Sequence, residues 1–252
     1  MKNSLRTSLA KNCIRLKSNY YKVRMLIVFT ILLSGFAFAQ PNHELWNDVL
    51  KNYVSDSGTV NYKDLKEDPT SLKKYFNELE NNQPEDSWTR EETLAYWINA
   101  YNAYTVQLIL DSYPLNSIKD IKKPWDQEFI PSNQSQISLN TIEHKILRKM
   151  DEPRIHFAIV CASISCPKLS NTAFTAENLD QQLDSVTKEF LNDSSKNSFE
   201  AEKTELSKIF KWFAKDFKAS GGVIAFVKKY KDVQLNHKSQ VSYKTYDWGL
   251  NE

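Results

Sequence analysis

Along most of the chain, hydrophobic residues recur at spacings of three and four positions, which is the periodicity of amphipathic helices. The longest such pattern covers 89–113, where Ser87 or Thr89 can cap the start of a helix and Pro114 stops it. Apolar residues line two sides of this predicted helix, so we expect it to lie in the centre of the core. Shorter helices are predicted at 43–53, 72–79, 138–149, 175–191, 206–217 and 223–230.

One apolar run lacks helical spacing. The β-branched run HFAIV (156–160) predicts a buried strand over 155–161, which breaks into the small-residue turn CASISCP. The alternating tail VSYKTYDWGLN (241–251) predicts a final strand, in which residues 246–248 either rim a pocket or fix the C-terminus. Helices around a small, mostly antiparallel sheet make a helix-rich α+β fold the predicted class.

The first 39 residues predict an export signal. They contain seven Lys or Arg and no Asp or Glu, and the 15-residue apolar run 25–39 ends in Ala-Phe-Ala. This order is typical of a secretory signal peptide, whereas a membrane anchor needs roughly 20 apolar residues. We therefore expect cleavage before Gln40, a single globular domain over 40–252, and a periplasmic or extracellular protein with no stable membrane span.

The charge balance argues against a nucleic-acid partner. Seven of the 33 basic residues but none of the 31 acidic residues lie in 1–39, which leaves 26 basic and 31 acidic residues over 40–252. Binding to phosphate backbones needs an excess of positive charge. No Gly-rich phosphate loop or zincin motif occurs, so we predict no cofactor. The expected partner is a ligand or substrate whose chemistry the sequence leaves open, as it does the oligomeric state.

Reactive side chains surround the predicted strand. His156 lies at its start, and Cys161 and Cys166 lie in the turn that follows it. A cysteine nucleophile needs a base, usually a histidine, and either His144 or His156 fits that role. We therefore predict a cysteine-histidine site of hydrolase or acyl-transferase type. Cys166 is the favoured nucleophile over Cys161 because we expect the residue before Pro167 to be exposed in the turn.

A group that orients the imidazole completes such a site, and three residues are candidates. Glu143 lies beside His144, and Asn99 and Asn102 lie one turn apart on the central helix. Asparagines inside a core can equally satisfy buried backbone groups, so a structural interpretation of both stands beside the catalytic one.

The two cysteines also allow non-catalytic interpretations. Cysteine pairs in exported proteins usually form disulfides, and a Cys161–Cys166 disulfide would make this protein an envelope binding or structural module. The same cysteines with His144 and His156 are the ligand types of a Cys2His2 zinc site, although the C-x4-C spacing is wider than usual. We predict no metal.

Six ordered blocks of this sequence resemble the domain of unknown function 547 family, whose bacterial members are often exported. The blocks are LAYWINAYNAYT, SLNTIEHKILR, RIHFAIVCASISCPKL, LDQQLDSVTKEFLND, IFKWFAKDF and YKTYDWGLN. The resemblance covers most of the chain from about Trp46 to Asn251. The resemblance implies export and no established activity. Plant relatives can lack the cysteines, which implies that the general role of the fold does not depend on them.

The combination of Cys, His and Asn or Glu is similar to that of papain-like and transglutaminase-like hydrolases. In those folds the nucleophile usually precedes the histidine, whereas His144 and His156 precede both cysteines here. The analogy therefore implies a permuted core.

Overall fold

A buried helix of 23 residues, Arg90–Ser112, runs through the core of the computed structural model. Thr89 caps this helix: the Glu92 N–H donates to Thr89 Oγ1 (3.2 Å) and the Thr89 N–H donates to Glu92 Oε2 (2.6 Å). Every residue from Leu94 to Val106 is buried. The prediction of a central helix that begins after Thr89 is therefore confirmed.

The structure describes residues 41–133, 135–200, 203–233 and 240–252. The α-helices in this part of the chain are α1 (Glu44–Tyr53), α2 (Tyr62–Glu67), α3 (Thr70–Asn81), α4 (Arg90–Ser112), α5 (Leu139–Thr141), α6 (Leu179–Asn192), α7 (Lys208–Trp212) and α8 (Val223–Tyr230). A π-helical turn covers Ile142–Ile146, and 3₁₀ turns cover Ile118–Asp120, Leu147–Met150, Pro153–Phe157, Ala176–Asn178 and Lys218–Ser220.

Two small sheets accompany these helices. Strands β1 (Ile130–Ser132) and β2 (Ser135–Ile137) form an antiparallel pair. The second sheet contains β3 (Ser198–Phe199), β4 (Lys203–Leu206) and β5 (Gln240–Tyr243). In it, β4 pairs antiparallel with β3 and parallel with β5. The helix-rich α+β class is therefore confirmed, with one small antiparallel sheet and one mixed sheet.

Buried side chains form two clusters that meet. The first apolar cluster packs around α4 and includes Trp46, Tyr75 and Ile98. The second, called here the aromatic cluster, contains Phe157, Phe190, Leu191, Leu206, Ile209, Phe210, Phe217, Phe226, Val227 and Tyr246. Partly buried Cys161 packs against both clusters and therefore lies at their junction.

The prediction of a strand over 155–161 is wrong. Pro153–Phe157 forms a 3₁₀ turn, and residues 158–161 are irregular although most of them are buried. An irregular buried segment needs hydrogen-bond partners that no neighbouring strand supplies. Asn102 supplies them: its Nδ2 donates to the Ala158 carbonyl oxygen (2.9 Å), and its Oδ1 accepts from the Val160 N–H (2.9 Å).

Asn99 does the same for a second segment one helical turn away. Its Nδ2 donates to the Phe174 carbonyl oxygen (2.7 Å), and its Oδ1 accepts from the Phe174 N–H (3.0 Å). Both asparagines on α4 therefore act as partners for irregular backbone, which agrees with the structural interpretation and separates them from the reactive side chains.

Two further elements are shorter than their sequence patterns predict. The helix predicted over 206–217 is α-helical only over Lys208–Trp212, and successive turns carry the chain to Phe217. The tail pairs as a strand only through Tyr243. Beyond it, residues 246–251 run along the turn that holds the cysteines.

Within the described ranges, the structure contains no helix with the length and apolar character needed to cross a membrane. The predicted leader 1–39, with its apolar run 25–39, lies outside the described residues.

The Asn102 amide gives a direct test of how this irregular segment is held. Asn102→Ala leaves the Ala158 carbonyl and the Val160 N–H buried without their partner, and each such loss costs about 1 to 3 kcal/mol. We expect the free energy of unfolding, measured by urea denaturation, to fall by about 2 to 5 kcal/mol.

Asn77→Ala is the matched control, because Asn77 is an exposed asparagine within α3. Its free energy of unfolding should change by less than about 0.5 kcal/mol. Equal effects of the two substitutions would contradict the role assigned to Asn102.

Candidate active site

A cavity of about 360 Å³ lies where the two clusters meet. Five of the seven predicted site residues line it, namely Glu143, His144, His156, Cys161 and Cys166. The cavity wall also includes Tyr101, Trp125, Trp212, Phe213, Tyr246 and Trp248. Asn99 and Asn102 are the two predicted residues that the structure places elsewhere, in the hydrogen bonds to backbone described above.

The two thiols lie against each other. Both cysteines are free, and their Sγ atoms are 2.9 Å apart. The Cys161 N–H donates to Cys166 Sγ (2.8 Å), so the Cys166 S–H is available to donate to Cys161 Sγ. When Cys161 is ionised, its thiolate accepts this hydrogen bond from the Cys166 S–H.

Two hydroxyl groups also lie within hydrogen-bond distance of Cys161 Sγ. Ser163 Oγ lies 3.1 Å and Tyr246 Oη lies 3.2 Å from Cys161 Sγ. Hydrogen bonding from Cys166, helped by these hydroxyls, lowers the pKa of Cys161 although burial opposes the shift. Burial raises the pKa of Cys166. Cys161 is therefore the thiol better able to ionise.

Exposure of the two thiols is the reverse of the sequence-based expectation. Cys166 is only 5% exposed, whereas Cys161 is half-buried at the cavity wall. The preference for Cys166 as the accessible thiol was therefore mistaken, and Cys161 is the better candidate nucleophile. The cause is tertiary, because the C-terminal tail covers the turn between the cysteines.

This turn is clamped by backbone hydrogen bonds to the tail. The Ile164 N–H donates to the Gly249 carbonyl (2.8 Å), and the Ser165 N–H donates to the Asp247 carbonyl (3.1 Å). Within the turn, Ala162 has a left-handed φ of 53°, which is rare for a residue with a Cβ atom. Such backbone conformations persist where the surroundings over-determine them, and the tail contacts do so here.

Glu143 is presented to the cavity by the π-helical turn Ile142–Ile146. The Leu147 N–H donates to the carbonyls of both Ile142 and Glu143, which widens the helix at this point. Glu143 is 9% exposed, and the Tyr101 hydroxyl donates to its Oε2 (3.3 Å). Burial raises the pKa of Glu143 to about 7 against the opposing charge of Arg148.

The two histidines belong to a network around Arg148 and Asp216. Arg148 donates through Nε (2.6 Å) and Nη2 (2.8 Å) to the Asp216 carboxylate, and through Nη1 to His144 Nδ1 (2.6 Å). His156 Nε2 lies 2.8 Å from Asp216 Oδ2, and its ring stacks on Phe213 with centroids 4.0 Å apart. Since guanidinium only donates, Nδ1 of His144 must accept.

Charge compensation sets the titration of this network. Burial alone would raise the pKa of Asp216, but hydrogen bonds from His156 and Arg148 hold it below its ordinary value. Burial lowers the pKa of His144, and Arg148 lowers it further. Burial also lowers the pKa of His156 despite its bond to Asp216. Both imidazoles therefore favour the neutral form.

The structure does not bring a histidine into hydrogen-bond contact with a thiol. Among the described residues, the hydrogen bonds of the two sulfur atoms go to each other, to Ser163, to Tyr246 and to the Cys161 N–H. The same part of the chain contains no group of three or more His, Cys, Asp or Glu side chains placed to hold a metal ion. The zinc interpretation therefore gains no support from the geometry.

Sequence reasoning missed four residues of this site: Tyr101, Arg148, Ser163 and Asp216. The signal for Ser163 was its place in the turn between the cysteines. Asp216 is an acidic residue inside the otherwise apolar and basic block IFKWFAKDF, which is a recognisable anomaly. Tyr101 and Arg148 carried no distinguishing signal, because aromatic and basic residues are common on helices.

A family model described as "Protein of unknown function, DUF547" matches residues 85–191. This match confirms the resemblance to the DUF547 family over these residues. The DUF547 region contains both thiols, both histidines, Glu143 and Arg148, whereas Asp216 and Tyr246 lie beyond its end. Comparisons with curated proteins and with solved structures found no match.

The raised pKa of Glu143 makes the stability of the protein depend on pH. Its folded-state pKa of about 7 exceeds the ordinary value of 4.5, so the folded chain keeps a proton that the unfolded chain releases between these values. Stability is therefore lost as the pH rises from 4.5 to 7. The Glu143→Gln variant lacks this loss. Its free energy of unfolding minus that of the unsubstituted protein should therefore increase by about 3 kcal/mol as the pH rises from 4.5 to 8.

Urea denaturation at several pH values measures this difference. Glu67→Gln is the control, since Glu67 is exposed at the end of α2 and its substitution should leave the pH dependence unchanged. A constant difference between the Glu143→Gln and unsubstituted proteins across the pH range would contradict the raised pKa.

Proposed function

We propose that this protein is an exported hydrolase or acyl transferase in which Cys161 is the nucleophile. The observation that carries the proposal is the threefold hydrogen bonding of Cys161 Sγ at the wall of the cavity. Cys166, Ser163 and Tyr246 are all within 3.2 Å of this sulfur atom. Groups able to donate hydrogen bonds at this distance stabilise a thiolate, which is the reactive form of cysteine.

The expected reaction is acyl transfer through a thioester. The Cys161 thiolate adds to the carbonyl carbon of an ester, thioester or amide, and the tetrahedral intermediate expels the leaving group. Water or another acceptor then attacks the acyl-enzyme and releases Cys161. Ser163 and Tyr246 stay beside Sγ during the attack, so their hydroxyls are the available donors to the developing oxyanion.

Glu143 supplies the proton transfers in this scheme. A carboxyl group with a pKa of about 7 is divided between its acid and base forms at neutral pH, which suits both roles. As an acid, Glu143 protonates the leaving group; as a base, it takes the proton of the attacking water. Neither imidazole contacts a thiol, so His144 and His156 are assigned a positioning role around Asp216 instead of the role of base.

A second candidate function is a binding module without catalysis. The observation that favours it is the aromatic wall of the cavity, where Trp212 and Trp248 stack with centroids 5.8 Å apart and Trp212 is 46% exposed. Exposed aromatic surface beside a cavity is typical of ligand sites. Under this alternative the cavity binds an apolar or aromatic ligand and Cys161 forms no acyl intermediate.

Acylation by p-nitrophenyl acetate separates the two functions. We expect rapid release of p-nitrophenol and one acetyl group on Cys161, located by peptide mass spectrometry. Cys161→Ser should abolish the adduct, whereas Cys166→Ser keeps a donor at position 166 and should retain it. Glu143→Gln should slow turnover by about 10²- to 10⁴-fold, the usual loss when a general acid or base is removed.

The folded state of each variant is checked by circular dichroism. An adduct that persists in Cys161→Ser, or the absence of any acetyl adduct on the folded unsubstituted protein, would overturn the assignment of Cys161 as an acyl-transfer nucleophile and favour the binding module.

A further inference from the structure

The pairing of Cys161 with Cys166 is more than the acyl-transfer scheme requires. A thiolate can be stabilised by hydroxyl donors alone, and the hydroxyls of Ser163 and Tyr246 already lie within hydrogen-bond distance of Cys161 Sγ. The third donor is a second thiol whose Sγ lies 2.9 Å from that of Cys161. A disulfide bond is about 2.0 Å long, so a movement of roughly 1 Å would join the two sulfur atoms.

The two thiols also differ in the way that thiol–disulfide exchange requires. The attacking cysteine must reach solvent or substrate and must ionise, whereas the resolving cysteine lies behind it and acts second. Cys161 is half-buried at the cavity wall, and Cys166 is buried with its sulfur against Cys161. Both thiols line the 360 Å³ cavity, and Cys161, the more exposed of the two, is the one placed to react first.

The turn between the cysteines has space on both sides. A second cavity, of about 510 Å³, lies beside the turn and is lined in part by Ser163, Ile164 and Cys166. Cys166 thus lines both cavities although its side chain is buried. This space permits the small displacement of Cys166 that closure of a disulfide needs.

We propose that Cys161 and Cys166 form a thiol–disulfide exchange site whose substrate is a low-molecular-weight disulfide that enters the 360 Å³ cavity. This activity goes beyond acyl transfer and shares only Cys161 with it. The Cys161 thiolate attacks one sulfur of the substrate, forming a mixed disulfide and releasing the first substrate thiolate, which takes a proton from water.

Cys166 completes the exchange. As its proton leaves to water, its sulfur attacks Cys161 Sγ, forms the Cys161–Cys166 disulfide and releases the second substrate thiol. The dithiol loses two electrons and two protons, and the substrate disulfide gains them as two thiols. A second pair of low-molecular-weight thiols reverses the sequence and restores both cysteines.

Oxidised glutathione is the probe for the test. The full chain carries Cys13→Ser in every variant, so that only two thiols remain. After exposure, the reaction is stopped with acid, free thiols are alkylated with N-ethylmaleimide, and the adducts are mapped by mass spectrometry. We expect the protein with both cysteines to form the Cys161–Cys166 disulfide and to retain no glutathione, and reduced glutathione to reverse this change.

The variants test the order of reaction. Cys166→Ser cannot resolve the intermediate, so it should hold glutathione on Cys161 at a level at least tenfold above that of the protein with both cysteines. Cys161→Ser should react at Cys166 at least tenfold more slowly, because that thiol is buried and keeps its proton. Tyr246→Phe is a milder variant that removes one donor and should slow formation of the disulfide several-fold.

Two results would overturn the proposal: a stable glutathione adduct on Cys161 without an internal disulfide when Cys166 is present, or faster reaction of Cys166 than of Cys161. The p-nitrophenyl acetate assay on the protein with both cysteines keeps this failure distinct from failure of the proposed function. Acetylation without disulfide exchange overturns only the exchange site, and disulfide exchange without acetylation overturns only acyl transfer.

Discussion

The side-chain amide of Asn102 is the interaction on which the site depends. Residues 158–161 are irregular and mostly buried, and they have no neighbouring strand to satisfy their backbone groups. The Asn102 amide presents one donor and one acceptor, as a strand neighbour would, and binds the Ala158 carbonyl and the Val160 N–H at 2.9 Å each. The central helix thereby fixes the backbone immediately before Cys161 and determines where its sulfur points.

The other side of the turn is held by the C-terminal tail. Backbone bonds from Ile164 and Ser165 to the tail align it with the turn, and the same tail delivers the Tyr246 hydroxyl to Cys161 Sγ. The thiol is consequently placed between a rigid helix and a segment from the far end of the chain. Precise positioning of a reactive group requires such support from packed neighbours, because loops alone leave it mobile.

Local signals made the helices predictable, and the lack of such signals explains the errors. The helix after Thr89 could be predicted because capping, periodicity and Pro114 agree. The composition of 155–161 does not distinguish a buried strand from a buried irregular segment of the same length. The hydrogen-bond partner that allows the segment to be irregular is Asn102, which lies 58 residues from Val160. The prediction of which thiol is more exposed was wrong for a similar reason, since Tyr246 in the tail lies 85 residues from Cys161.

The identity of the site residues could be predicted from the sequence better than their arrangement in space. Glu143, His144, His156 and the two cysteines are chemically distinctive, and all of them line one cavity. Their roles depend on hydrogen bonds that no pattern records. The imidazoles of His144 and His156 are hydrogen-bonded to Arg148 and Asp216, respectively, and neither contacts a thiol. The thiol of Cys161 therefore depends on its neighbouring hydrogen-bonding groups and not on an imidazolium charge.

This arrangement couples the protonation of the thiol to that of Glu143. The hydrogen bond from Cys166 lowers the pKa of Cys161, and a negative charge on Glu143 opposes this shift because two like charges disfavour each other. Burial raises the pKa of Glu143 to about 7, so this carboxyl keeps its proton up to neutral pH and, while it does so, adds no negative charge against ionisation of Cys161. Under the acyl-transfer proposal, a protonated Glu143 beside Cys161 is the form of the carboxyl that can donate to a leaving group, and mutual repulsion disfavours the state in which both groups are charged.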